Sequence, residues 1–208
     1  MASPTPTPLR RKPVQQRSAK RVEQMLEACA ALIDEVGYDG VTTTLIAERA
    51  GVAVGSLYQF FPDKRAVVRE LTRRNLERFL VLVSDRFEAT PPEHWWDAVD
   101  LAIDSYVEMH RTVPGFAKLH FGDVVDLELL DDGSGKHNNE VVAEQLTRIV
   151  ADKAGIPVDR LRLPITIAVE ATDGIHKLAF RRHPQGDQLI IDEGKELLRQ
   201  YLSSKLDD

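Results

Sequence analysis

The chain has 208 residues, a formal net charge of −6 and a single cysteine. That length holds one domain of moderate size, or a small domain and a larger one. Its apolar runs are only a few residues long and its one cysteine has no partner, so neither a transmembrane helix nor a disulfide framework within the chain is expected.

Residues 1–16 are rich in proline and threonine and carry Arg10, Arg11 and Lys12, which predicts a disordered basic arm. The N-terminus has no apolar stretch, so no signal peptide is expected, and a reducing, cytoplasmic location is the default. Residues 1–21 hold six cations, with Arg17, Lys20 and Arg21 completing the set, and no acid. The body is therefore more acidic than the total. Such an arm can feel phosphate although the whole chain is anionic, or it can be a solvated tail.

From Ser18 onward, Val22, Met25, Leu26, Cys29, Leu32, Ile33 and Val36 recur at helical spacing, and Gly37 ends the run. Cys29 lies on that stripe and reads as a buried, inert thiol. Thr42 opens a short second helix, its hydroxyl able to accept from a first-turn amide, and Gly51 closes it. A third short helix covers Val54 to Phe61. Pro62 and Asp63 interrupt, and a long fourth helix runs from about Lys64 to Phe87. Further helical patterns cover Trp95 to His110, Phe116 to Leu130, Asn139 to Ala154, Leu163 to Phe180 and Leu189 to Leu206. The stripe of the first of these is Trp96, Val99, Ile103, Tyr106 and Val107. About nine helices and no period-2 strand predict an all-α fold. The expected division is the arm at 1–16, a helix-turn-helix unit at 17–64 and a helical body at 65–208.

The stretch from Thr42 to Lys64 meets several demands of a helix-turn-helix at once. Ala47 is small where two helices must approach, Gly51 supplies a left-handed turn, and Leu57 packs the second helix on the first, with Ile46 and Val52 as further core positions. A generic helical hairpin would explain those residues. It does not explain why the second helix is short and carries Gly55, Ser56, Tyr58 and Gln59. Gly55 lets a backbone come close to a polymer, Ser56 and Tyr58 offer hydroxyls to phosphate, and the Gln59 amide can read a base edge. Lys64 and the free amides of its helix start can meet one phosphate. Phe61 falls on the same face as Leu57 and is expected to point inward.

These residues resemble the DNA-binding region of TetR-family transcriptional regulators. The resemblance rests on Gly37-Tyr38, Thr42-Thr43, Ile46-Ala47, Ala50-Gly51-Val52, Gly55-Ser56-Leu57-Tyr58, Phe61 and Lys64, and covers about residues 18–64. It implies a double-stranded DNA operator as partner. Thr42, Tyr58 and Lys64 would hold phosphates with Ser56, while Thr43, Thr44, Gly55 and Gln59 would lie at the groove and Val54 could meet a thymine methyl. Phe60 stands where relatives often have His or Tyr. It cannot donate to a phosphate, and packs either on the sugar backbone or on the first helix.

The resemblance also implies a homodimer on a palindromic operator, formed through the last two helices. Ile167, Ala171, Ile175, Leu178, Leu197, Leu198 and Tyr201 are the candidate face. It implies a small-molecule effector bound in the body. Candidate pocket residues there are Trp96, Tyr106, Met109, His110, Phe116, His120, Phe121, His176 and Phe180, each of which could instead be plain core. The histidine spacings match no metal-ligand motif, and Gly133 to His137 lacks the spacing of a phosphate loop. No cofactor and no membrane contact are expected. No nucleophile is paired with a base, so the chain is expected not to be an enzyme. The expected function is a ligand-responsive regulator, most simply a repressor released by an apolar or aromatic effector. The alternative is a helical small-molecule-binding protein or enzyme whose helix-turn-helix is incidental.

Overall fold

A computed structural model describes residues 16–119, 138–181 and 183–206, with side chains from residue 18. These residues form eight α-helices and one 3-10 turn. The helices are α1 (Gln16–Gly40), α2 (Thr43–Arg49), α3 (Val54–Phe60), α4 (Lys64–Ala89), α5 (Trp95–Thr112), α6 (Asn138–Ala154), α7 (Val158–Phe180) and α8 (Gln188–Leu206). The fold is all-α.

The element order differs from the sequence reading in two places. The helix expected from Phe116 is a three-residue 3-10 turn, Phe116–Lys118. The Gly115 amide donates to Asp34 Oδ2 at 2.7 Å, which pins the chain to α1 at this point. Residues 120–130 of the expected helix, the loop at Gly133 to His137, His120, Phe121 and the basic arm lie outside the described residues. The second difference is α7, which starts at Val158 and carries Pro164 inside it. Pro164 is the seventh residue of α7, so it removes the N–H that would bond the Arg160 carbonyl, and the helix continues in spite of that loss.

The chain divides into two compact units. The first comprises residues 16–75 and Pro114–Leu119, so it takes in the start of α4 and extends past the expected boundary at Lys64. Its core is the inward face of α1 with residues of α2, α3 and α4: Met25, Cys29, Ile33, Ile46, Ala47, Leu57, Phe61, Val67 and Leu71 are fully buried. Burial pushes the Cys29 thiol up to about 12, although Arg74 and Lys64 nearby pull it down. Val36, the last residue of the predicted stripe, is exposed, and Gly37 after it takes a non-helical backbone (φ 71°, ψ 168°) that kinks α1 before its end at Gly40.

The second unit comprises Leu76–Val113 and the described residues from 138 on. Here α5 packs on α6, α6 on α7 and α7 on α8. Gly194 lets α8 come close to α7: a Cβ there would lie 2.6 Å from Ile175 Cγ2. Lys195 of α8 reaches Asp100 at 2.9 Å and Asp104 at 2.6 Å on α5. His94 and Asp97 form a capping box that sets the phase of α5. That phase buries Trp95 at 4% exposure. Trp96, placed on the inner stripe by the sequence reading, is instead half-buried beside Arg199, 5.9 Å from its ring centroid.

Candidate nucleic-acid interface and ligand pocket

In the first unit, Thr42 takes an extended backbone (φ −130°, ψ 156°) and its Oγ1 accepts the Leu45 amide at 3.2 Å, which starts α2. At the other end of α2, Gly51 adopts φ 67° and the Val52 amide donates to the Ala47 carbonyl at 2.9 Å. This turn needs a left-handed residue, which glycine supplies without a Cβ clash. Arg49 grips Glu35 of α1 through both nitrogens, at 2.8 and 2.7 Å. The hydrogen bond from Arg49 holds the Glu35 carboxyl below its usual range.

The outer surface of α2 and α3 carries the residues singled out from sequence. Thr42, Thr44, Gly55, Tyr58 and Gln59 are exposed, and Thr43, Val54, Ser56 and Lys64 are half-buried. Three features were not visible in the spacing. The Tyr58 hydroxyl lies 3.0 Å from Thr43 Oγ1, which joins α3 to the start of α2. Lys64 Nζ donates to the Tyr38 carbonyl at 3.0 Å and sits 4.3 Å from the Tyr38 ring centroid. The Ala66 amide at the start of α4 is taken by Asp63 Oδ1 at 2.8 Å, which leaves one fewer amide for an anion than expected.

Phe60 is 5% exposed and belongs to the core of the first unit, beside the fully buried Phe61. Of the two packing places open to it, the interior is the one it occupies. A Cβ added at Gly55 would meet nothing within 4 Å, and its φ is not in the left-handed range. Nothing among the described residues requires glycine there.

The second unit contains a pocket with about 530 Å³ of empty space including its mouth. Phe79 of α4, Ala102, Ile103 and Tyr106 of α5, Val142 and Leu146 of α6, Ile165 and Asp173 of α7 and Leu202 of α8 are among its lining. A second cavity of about 450 Å³ shares Phe79, Ala102, Val142 and Leu146 with it. Of the aromatic and histidine candidates among the described residues, Tyr106 alone lines these cavities. His110 and His176 pack on Tyr106 instead, and Phe180 packs on those two histidines. The Tyr106 and His110 centroids are 4.5 Å apart, Tyr106 and His176 5.1 Å, and His110 and Phe180 4.6 Å. Met109 is buried away from the pocket lining, and Phe116 is fully buried in the 3-10 turn of the first unit. The pocket wall is mainly aliphatic, with one polar spot where the Tyr106 hydroxyl donates to Asp173 Oδ1 at 2.7 Å.

On α7, Leu163, Ile167 and Leu178 are 69%, 44% and 49% exposed, and Ala171 and Gly174 fall on the same face. Leu189 and Leu197 of α8 are exposed as well, with Tyr201 half-buried. Leu198 is 2% exposed and points into the unit, and Ile175 is half-buried against Gly194. Those two therefore serve α7–α8 packing. Among the described residues no group of three or more His, Cys, Asp or Glu is placed to hold a metal ion, and no helix is long and apolar enough to cross a membrane.

Residues 25–71 match the family model "Bacterial regulatory proteins, tetR family", and residues 93–206 match "Tetracyclin repressor-like, C-terminal domain". A TetR-family transcriptional regulator from Streptomyces coelicolor is 40% identical, with 89% of this chain and 99% of that one covered and a TM-score of 0.75. FadR from Bacillus subtilis, solved in complex with stearoyl-CoA, is 18% identical over 85% of this chain and 96% of that one, with a TM-score of 0.65. At that identity the likeness is one of fold. The transcriptional repressor KstR of Rhodococcus jostii is 41% identical over 59 residues, so the match spans 28% of that protein's length and 28% of this one's.

Proposed function

The chain belongs to the TetR family of transcriptional regulators, and we propose that it binds a palindromic DNA operator as a homodimer and leaves it when a small apolar molecule enters the second unit. On this reading it acts by binding rather than by catalysis. The observation that carries the DNA reading is Gly55. Gly55 lies in the first turn of α3, where glycine is less favourable than alanine, and among the described residues no contact asks for it. Close approach of a duplex to α3 supplies the missing reason. Around Gly55, Thr44 and Gln59 are positioned to face base edges and Thr42, Ser56, Tyr58 and Lys64 to face phosphates. The Thr43–Tyr58 pairing holds the phenol hydroxyl at the edge of α3. Repression, rather than activation, is supported by the function named for the Rhodococcus relative.

The dimer reading rests on the exposed apolar face of α7 and α8, and the effector reading on the pocket lined from five helices. A ligand acts there only through different affinity for the two states of the dimer. Selection from random duplex DNA with the purified chain tests the proposal and is expected to yield a palindrome. On that sequence, Lys64→Ala should weaken binding uniformly and reduce the salt slope by about one. Recovery of no enriched sequence, or unchanged affinity of Tyr58→Ala, would sink the docking.

A further inference from the structure

Four side chains touch both cavities of the second unit: Phe79 of α4, Ala102 of α5, and Val142 and Leu146 of α6. They form the wall between the two spaces. Ala102 ends at its Cβ. Val142 and Leu146 stand one turn apart on one face of α6 and run along both spaces. The Phe79 ring is the largest of the four groups. It is 4% exposed and meets the Tyr106 ring edge to face, with centroids 5.9 Å apart and planes at 80°. Tyr106 is held in turn, since its hydroxyl donates to Asp173 Oδ1 at 2.7 Å. A ring gripped in this way keeps its rotamer, so it is a fixed partition and not a swinging door.

We propose that Phe79 sets the length of the effector: an apolar chain enters the larger cavity, and its far end stops against this ring. The proposal rests on reading that cavity as the effector site and adds the residue that limits what fits. On the near side the chain end lies among buried Ile103, Ile165 and Leu202. On the far side the second cavity carries Ser84 and Gln145, both exposed, so a hydrocarbon end gains less by reaching it. Passing the ring means breaking its contact with Tyr106 and forcing the side chain off its rotamer in a close-packed core. Cutting Phe79 back to its Cβ would join the two spaces, of about 530 and 450 Å³ with their mouths, into one.

The test uses the full chain and straight-chain primary alcohols from hexanol to dodecanol, ranked by calorimetry. The head group is constant, so length alone varies. In the unaltered protein each added methylene should tighten binding about fourfold until the chain end meets Phe79, and affinity should level off before dodecanol. In Phe79→Ala the plateau should move to longer members, and dodecanol should gain ~10-fold or more on the unaltered protein, after correction for any common change at hexanol. Phe79→Leu keeps the core better filled and should move the plateau the same way by less. It decides the matter if the alanine variant loses its cooperative melt. An unbroken rise to dodecanol in the unaltered protein, or a plateau that stays in place in the folded variant, overturns the role of Phe79 and leaves the effector site standing. Binding of none of the alcohols by the unaltered protein overturns both.

Discussion

At the scale of single residues, Gly55 and Cys29 show two opposite ways in which a side chain is chosen. Gly55 is costly for the fold and has no internal explanation, since a Cβ would meet open space. Gly55→Ala should therefore raise unfolding stability by about 0.5–1 kcal/mol in urea melts while weakening operator binding in fluorescence anisotropy. A variant that is stabilised and binds equally well would show that no duplex comes near this position. Cys29 is chosen for its volume. Burial holds its thiol protonated to about 12, so it should react with a disulfide reagent ~100-fold more slowly in the native protein than in denaturant. The pH sign follows. The unfolded chain loses this proton first, so it binds fewer protons than the native one, and stability falls as pH rises from about 9 toward 12. Cys29→Ala should flatten that fall. Ala47, Gly51 and Leu57 were readable because each is fixed by contacts within a few residues of chain. Phe61 was expected inward with Leu57 and is fully buried; Phe60 was left with two places, and it too turns inward because Phe61 leaves the helix extended (φ −122°, ψ 122°), although a continuous helix would set the two on different faces.

At the scale of elements, helix positions were legible where glycine or a capping side chain marks a boundary, as at Thr42 and Gly51, while Gly37, expected to end α1, kinks it three residues before its end. The start of α7 was hidden because Pro164 argues for a later start than Val158. The phase of α5 turned on His94, which caps through its ring nitrogen at 3.2 Å from the Trp96 amide, a role that spacing alone does not reveal. Of the pocket, only Tyr106 was legible among the described residues. Its lining comes from five helices spread between Phe79 and Leu202, and aromatic residues, the natural guess for a ligand site, were consumed in packing on one another. One tie between elements can be measured directly. Burial lowers the proton affinity of Lys195, but hydrogen bonds to Asp104 and Asp100 overcome it and raise the pKa. This contribution is full below the ordinary lysine range and is lost as pH rises through the raised value. Lys195→Met should lower stability at pH 7 by about 1 kcal/mol by thermal or urea melting, since it leaves two neighbouring carboxylates without their shared cation. An unchanged melt would mean that α5 and α8 are held by apolar packing alone.

At the scale of the whole molecule, the question is what covers α7. Its outward face runs Leu163, Ile167, Ala171, Gly174 and Leu178, at steps of four, four, three and four residues. Burying such a face stabilises an association through apolar area, and a glycine at its middle shortens the distance at which two helices can cross. A Cβ at Gly174 would meet nothing within 4 Å among the described residues, so, as at Gly55, these give no reason for glycine. A second copy of α7 crossing there gives one, and two-fold symmetry then presents two α3 helices to a palindrome. Gly174→Leu, at an exposed position, should leave the monomer folded by circular dichroism but shift sedimentation from dimer to monomer. Operator affinity should then fall by ~100-fold or more, because each half-site would be held independently. Affinity for a single half-site should stay the same in the variant. If Gly174→Leu remains a dimer of full operator affinity, the crossing lies elsewhere on α7 and α8, and Leu197→Glu on α8 becomes the substitution that separates the copies.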